Sequence, residues 1–189
     1  AGPHPALVKR EFPNVALVHL PGYGLKYSRK GWAMAWKIFL QLPKILISVK
    51  RENRWLAIFL AQNPVDIVLS DCRFGLHNKN VFCVLLTHQL IIQSPLGKWA
   101  AALLQRWNYA FINRFNECWV PDYAATPNLA GDMSHPHQLP AIPVRYIGGL
   151  SRLSECATTP AKRYDVLIIL SGPEPQRSIF EKMVMQQLT

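Results

Sequence analysis

Apolar residues recur along the chain with two different periods, and each period predicts one type of secondary structure. From Gly31 to about Gln62, and again from Gly97 to Phe115, they recur at three- and four-residue intervals, which is typical of helices. Pro43 is expected to break or kink the first of these helices. Short apolar runs rich in β-branched residues predict strands at 15–20, 65–70, 81–87, 118–120 and 144–147.

The pattern restarts near the end of the chain. A continuous apolar run at 164–170 predicts a strand, and residues 176–188 predict a helix. The segment from Gly148 to Lys162 is rich in Gly, Ser, Thr and Pro, which is typical of a linker, and we place the linker at 151–162. Alternation of strand and helix favours the α/β class, with a Rossmann-like parallel sheet and helices on both faces. We therefore expect a first domain over 1–150, a linker, and the opening β-α unit of a second domain over 163–189.

Composition limits the classes of partner. Lys and Arg number 21 against 11 Asp and Glu, a formal charge of +10 that favours an anionic partner such as nucleic acid, phospholipid or a phosphorylated substrate. The four cysteines are widely spaced, as expected for reduced, structural thiols in a cytoplasmic protein. Polar residues and prolines interrupt every long apolar stretch before it reaches the roughly 18 residues of a membrane span.

The residues that follow the predicted strands are the first candidates for chemistry. Ligands of doubly wound sheets bind beyond the carboxyl ends of the strands. Asp71 and His88 follow two successive strands, and together they could form a general base in which the carboxylate orients the imidazole. The alternative is that the Asp caps a loop and the His binds a backbone carbonyl. The sequence leaves both interpretations open.

Three other stretches allow more than one interpretation. Gly22 and Gly24 form either a turn or a place where a ligand meets the backbone. Ser171 and Gly172, between a predicted strand and a helix, form either a phosphate cradle or a plain turn. The pair of histidines at 135 and 137 has too few neighbouring ligands for a metal site, and we expect no metal.

The first long helix is basic and aromatic. Trp32, Trp36 and Lys37 lie in a stretch with many cations, which suits either an anionic membrane surface or an ordinary packed helix with a solvated basic face. Nucleic acid would use the same charge, but no recognised nucleic-acid-binding pattern accompanies it. The alternative function for the chain is therefore a non-catalytic basic α/β module that binds a membrane surface or nucleic acid.

Seven short segments, most of them at predicted strand ends, together resemble one group of bacterial proteins. These segments are Glu11-Phe-Pro-Asn, Leu20-Pro-Gly-Tyr-Gly24, Ser70-Asp-Cys-Arg-Phe-Gly-Leu76, Thr87-His-Gln-Leu90, Glu117-Cys-Trp-Val-Pro-Asp122, Tyr146-Ile-Gly-Gly-Leu-Ser-Arg152 and Leu170-Ser-Gly-Pro-Glu-Pro-Gln-Arg177. The group comprises glycosyltransferases similar to the lipid-linked N-acetylglucosamine transferase of peptidoglycan synthesis, and the resemblance covers most of the chain.

This resemblance implies the GT-B architecture, in which an acceptor-side and a donor-side Rossmann-like domain face each other across a cleft. On that basis residues 1–150 are the acceptor-side domain without its first strand, and 163–189 begin the donor-binding domain. The chain therefore resembles a fragment, expected to catalyse little by itself. In the relatives the front loop, which this sequence lacks, supplies the residue proposed as catalytic base.

The resemblance also implies roles for individual residues. Asp71 and His88 are expected at the active centre, Arg73, Phe74, Gln89, Gly22 and Gly24 at the substrate, and Ser171, Gly172, Gln176 and Arg177 at the donor phosphates. The reaction implied is sugar transfer from a nucleotide-sugar, expected to be a UDP-sugar, to a sugar or lipid-linked acceptor without a further cofactor. Trp32, Trp36 and Lys37 would then dock the protein on the inner face of the cytoplasmic membrane.

Overall fold

The structure is a computed structural model that describes residues 5–18, 20, 31–92, 94, 97–151, 163–172 and 174–188. Side chains between 31 and 42 are not among those described. The helices and strands, in chain order, are α1 (Pro5–Glu11), α2 (Gly31–Gln62), β1 (Ile67–Asp71), β2 (Phe82–Leu86), α3 (Lys98–Ile112), β3 (Glu117–Val120), β4 (Val144–Tyr146) and α4 (Gln176–Leu188), with a 3₁₀ turn at Gly131–Met133.

The four strands form one parallel sheet in the order β1-β2-β3-β4. The register joins Val68 to Cys83 between the first two strands, and Cys118 to Val144 between the last two. Parallel strands need crossover connections. Helix α3 lies in the connection from β2 to β3, whereas the connection from β1 to β2 is a loop without a helix. The predicted α/β sheet is thus confirmed.

The main apolar cluster lies on one face of the sheet. Cys83 and Leu85 on β2 alternate with Val84, and all three are almost fully buried, so both faces of this central strand are covered. Ile112 and Phe115, at and just after the end of α3, join Cys83 and Leu85 in the main apolar cluster. This helix therefore covers the face of the sheet that carries the core.

The other face is open over β1. Ile67 and Leu69 are 59% and 55% exposed, and Phe82 beside them on β2 is 44% exposed. The prediction of helices on both faces therefore does not hold over β1 within the described part of the chain.

Two of the predicted strands are absent. Residues 15–18 and 20 are irregular, as are 164–170, and apolar side chains such as Val166 and Ile169 are exposed. A strand requires a hydrogen-bonded neighbour, and neither segment has one among the described residues. Apolar content alone was therefore an insufficient signal for a strand.

The long helix α2 differs from its prediction at one point. Its bounds agree with the predicted range, but the helix continues through Pro43 and is not broken there. A proline within a helix removes one backbone hydrogen bond, and the 19 residues that follow it in α2 supply enough others to continue the helix. Helix α1 was not predicted, because its short stretch carries no clear apolar period.

Candidate functional site

The carboxyl ends of all four strands meet at one edge of the sheet, which we call the carboxyl edge. Asp71 on β1 lies opposite Leu86 on β2, which in turn lies opposite Trp119 on β3. Val120 at the end of β3 lies opposite Tyr146 at the end of β4. The four loops that follow these strands therefore start side by side, as the sequence predicted for the first two.

The loop after β1 begins at a strained residue. Cys72 has a φ of 51°, in the left-handed region that residues other than glycine rarely adopt. Its backbone N–H donates to the Leu86 carbonyl at 3.0 Å, and its Sγ lies 3.8 Å from Thr87 Oγ1. Desolvation raises the pKa of the Cys72 thiol, so at neutral pH it is not a thiolate. Strain of this kind is concentrated at functional sites.

Around this turn lie three of the predicted site residues. Asp71, His88 and Gln89 are all exposed at the carboxyl edge. Asn108 of α3 fixes the backbone of this loop by donating from Nδ2 to the Gln89 carbonyl at 3.2 Å. No hydrogen bond or ion pair joins Asp71 to His88 among the described residues. The two groups are thus placed on neighbouring loops, but the paired general base remains a prediction.

Arg73 and Phe74 make contacts with the rest of the fold. The Nε of Arg73 donates to Oε1 of Glu52 on α2 at 2.7 Å, and only 3% of Glu52 is exposed. The Phe74 ring lies 5.5 Å from that of Phe111 on α3. Both side chains therefore anchor the loop after β1, and their predicted contact with substrate is untested.

This loop fits closely against α2. The Gly75 N–H donates to the second carboxylate oxygen of Glu52 at 3.2 Å, and Nδ2 of Asn53 donates to the carbonyls of Gly75 and His77 at 3.2 and 2.7 Å. A Cβ on Gly75 would lie 2.4 Å from the Val49 carbonyl oxygen, so no side chain fits there. Glu52 and Asn53 thereby fix the loop that carries Arg73.

Asp122 is a fully buried carboxylate of the carboxyl edge, directly after β3. Its carboxylate accepts hydrogen bonds from the backbone N–H groups of Tyr123, Leu129 and Ala130 at 2.8, 2.7 and 3.2 Å, and from Ser134 Oγ at 2.5 Å. Burial alone would raise the pKa of Asp122, but these hydrogen bonds hold it well below its ordinary value. Asp122 is therefore ionised at neutral pH, and its hydrogen bonds shape the loop after β3.

His135 completes this cluster. Its Nε2 lies 3.4 Å from Oδ2 of Asp122 but is buried without a hydrogen-bond partner, and its ring stacks on Tyr146 at 5.0 Å. Burial raises the pKa of the Tyr146 phenol, whose protonated hydroxyl donates to the Ser134 carbonyl at 2.7 Å. The cluster links the connection between β3 and β4 to the last residue of β4. Sequence reasoning considered His135 only as a metal ligand and Asp122 only as the end of a strand.

The residues predicted at the donor phosphates lie in the separate segment 163–188. Ser171 and Gly172 are exposed, and Gly172 has a φ of 118°. Arg177 forms an ion pair with Glu174 in the same helical turn. Gln176 begins α4, as predicted. The segment thus has the predicted loop-helix geometry without the preceding strand.

Some predicted residues lie outside the described residues. These are Gly22 and Gly24, together with the side chains of Trp32, Trp36 and Lys37 and the linker from residue 152. In the part of the chain that the structure describes, no helix is long and apolar enough to cross a membrane. No group of three or more potential metal ligands occurs among those same residues, and their three cysteines are free thiols.

Comparison with protein-family models, with curated proteins and with solved structures gives no match to this chain. The chemistry of the carboxyl edge is therefore inferred from its own residues and distances.

Proposed function

We propose that the protein is a glycosyltransferase that moves a sugar from a nucleotide-sugar to an acceptor at the carboxyl edge. One observation carries the proposal. Four of the seven segments that resemble the glycosyltransferase group, widely separated in sequence, include or follow the ends of β1, β2, β3 and β4 and so meet at this edge. Ligands of parallel α/β sheets bind at such an edge, because the loops converge there.

The exposed groups at this edge suit acid–base chemistry. Sugar transfer displaces the nucleoside diphosphate from the anomeric carbon and requires a proton to leave the attacking hydroxyl. His88 and Asp71 are exposed on neighbouring loops, where an acceptor hydroxyl could reach either side chain. We assign the proton transfer to His88, because an exposed imidazole nitrogen can accept a proton from an acceptor hydroxyl.

The buried groups keep these loops in place. Glu52 holds the loop after β1, Asn108 holds the loop after β2, and Asp122 holds the loop after β3. A site that is fixed before the substrate binds loses less conformational entropy on binding. The developing negative charge on the leaving diphosphate would be stabilised by backbone N–H groups of the 171–177 segment and by Arg177, which lies in the first turn of α4.

Binding and turnover of UDP-sugars by the full-length protein test this function. We expect UDP-N-acetylglucosamine or UDP-glucose to raise the free energy of unfolding by about 2.7 kcal/mol at roughly 100 times Kd. His88→Ala should keep this stabilisation but lower the rate of UDP release by about 100-fold or more, because proton transfer is lost. Thermal unfolding and a UDP-release assay measure the two effects.

His137→Ala is the matched control, since His137 is also exposed but lies in the loop before β4. It should leave both binding and rate unchanged. The proposed function is wrong if no nucleotide-sugar stabilises the full-length protein, and the role of His88 is wrong if the two variants have equal rates.

A further inference from the structure

A basic hollow lies away from the carboxyl edge, between α2, the loop after β1 and the end of α3. Its volume is about 410 Å³, and its lining residues are Val49, Lys50, Asn53, Arg54, His77 and Arg114. This volume is within the range of small-molecule sites, roughly 300 to 1,000 Å³. We call it the basic hollow.

Its position separates it from the proposed catalytic edge. His77 directly precedes Asn78, whose N–H donates to Sγ of Cys83 near the start of β2. Arg114 likewise lies shortly before β3, which begins at Glu117. The hollow is therefore near the amino ends of β2 and β3, whereas Asp71 and His88 lie at the carboxyl ends.

Three cations converge on this hollow. Lys50 and Arg54 lie one helical turn apart on α2, where two like charges repel each other. Arg114 faces them from the chain after α3. No carboxylate forms an ion pair with any of the three among the described residues. An anion in the hollow would remove this repulsion.

The polar groups between these cations are held in place. Asn53 is fixed by its hydrogen bonds to the loop after β1, and the His77 ring lies edge-on to Phe115 at 5.7 Å. The guanidinium carbon of Arg114 lies 4.7 Å from the centre of the Phe111 ring, which restricts its position. Desolvation and the nearby Arg114 charge lower the pKa of His77, so its imidazole is neutral at neutral pH.

We propose that the basic hollow binds a phosphate-bearing anion, at a site separate from the carboxyl edge. Two guanidinium groups and one ammonium around a concave surface match the charge and the acceptor oxygens of a phosphate or diphosphate group. Asn53 and His77 also line the hollow, and Nδ2 of Asn53 donates to the carbonyls of Gly75 and His77. The anion could belong to a soluble diphosphate or to a phospholipid headgroup, which share this chemistry.

The first test is titration of the full-length protein with inorganic pyrophosphate by calorimetry. The hollow variant replaces Lys50, Arg54 and Arg114 with Gln. Because these three side chains are exposed, the substitutions should not affect folding. We expect pyrophosphate to bind the wild-type protein, and the hollow variant to lose about tenfold or more in affinity at the site in the hollow. Binding should also weaken as salt rises from about 50 to about 200 mM.

The matched control removes three exposed cations from other positions, with Arg51, Lys98 and Arg106 replaced by Gln. It has the same net charge as the hollow variant, and Arg51 lies on the same helix. Equal weakening in both variants would show diffuse attraction by net charge and would overturn the proposal. Absence of pyrophosphate binding to the wild-type protein would overturn it as well.

A second arm identifies the source of the phosphate. Both variants and the wild-type protein are sedimented with phosphatidylcholine vesicles that contain about 30% phosphatidylglycerol. Loss of vesicle binding confined to the hollow variant supports a lipid headgroup as the ligand. Equal vesicle binding by the two variants supports a soluble phosphate compound. Because no nucleotide-sugar is used, failure of this proposal is distinct from failure of the proposed function.

Discussion

We expect Glu52→Ala to lower the free energy of unfolding by about 3 kcal/mol. Glu52 is almost fully buried and binds both the Arg73 side chain and the Gly75 backbone N–H. Its removal takes away the ion pair with the partly buried Arg73 guanidinium and the hydrogen-bond acceptor of the Gly75 N–H. Urea denaturation followed by tryptophan fluorescence measures the change.

Arg145→Gln is the control for this prediction, since it breaks an ion pair with Glu117 in which 62% of the Arg145 side chain is exposed. A surface pair contributes little to stability, so the control should remain close to wild type. A Glu52→Ala variant as stable as the Arg145→Gln variant would show that the loop after β1 does not depend on Glu52.

The second large effect concerns Asp122 and acid. The folded protein holds the pKa of Asp122 below its ordinary value of about 3.8, so this carboxylate contributes stability that is complete above that pH and is lost as the pH falls below it. Asp122→Asn should lower the midpoint of thermal unfolding at pH 7 by more than about 5 °C. It should also flatten the decline of that midpoint below pH of about 4.

Thermal unfolding of both proteins between neutral pH and acid gives the two slopes. Asp66→Asn, which removes an exposed carboxylate, should keep the wild-type slope. If Asp122→Asn and the wild-type protein lost stability equally in acid, the carboxylate would not be held ionised by its four donors.

Periodicity predicted the four strands of the sheet and the helices α2, α3 and α4. Burial of an apolar face accounts for this at α2 and α3, whereas α4 buries none of its described residues. Periodicity failed at 15–20 and 164–170, where apolar runs have no described neighbour with which to pair. A strand forms only where a second segment supplies hydrogen-bonding partners, and the sequence of one segment does not identify that second segment. The apolar run of β1 likewise did not reveal whether another element covers it, and its Ile67 and Leu69 are exposed.

The candidate site was predicted only in outline. The sequence placed Asp71 and His88 at one edge, because parallel strands end together. It did not identify Glu52, which stood out only as the one acid of a basic helix. Val49, Glu52 and Leu56 are three and four residues apart and all buried, so the apolar face of α2 was the available signal. The groups that donate hydrogen bonds to Asp122 lie among residues 123–134, and their spacing follows neither a helical nor a strand period.

Hydrogen exchange of the full-length protein, with and without a UDP-sugar, tests the central claim most directly. If the carboxyl edge is the active centre, backbone N–H groups at 71–74 and 87–89 should exchange more slowly with the donor bound, together with those at 171–177. The N–H groups around the basic hollow should not change. Slower exchange confined to the hollow, or no change at either edge of the sheet, would contradict the account.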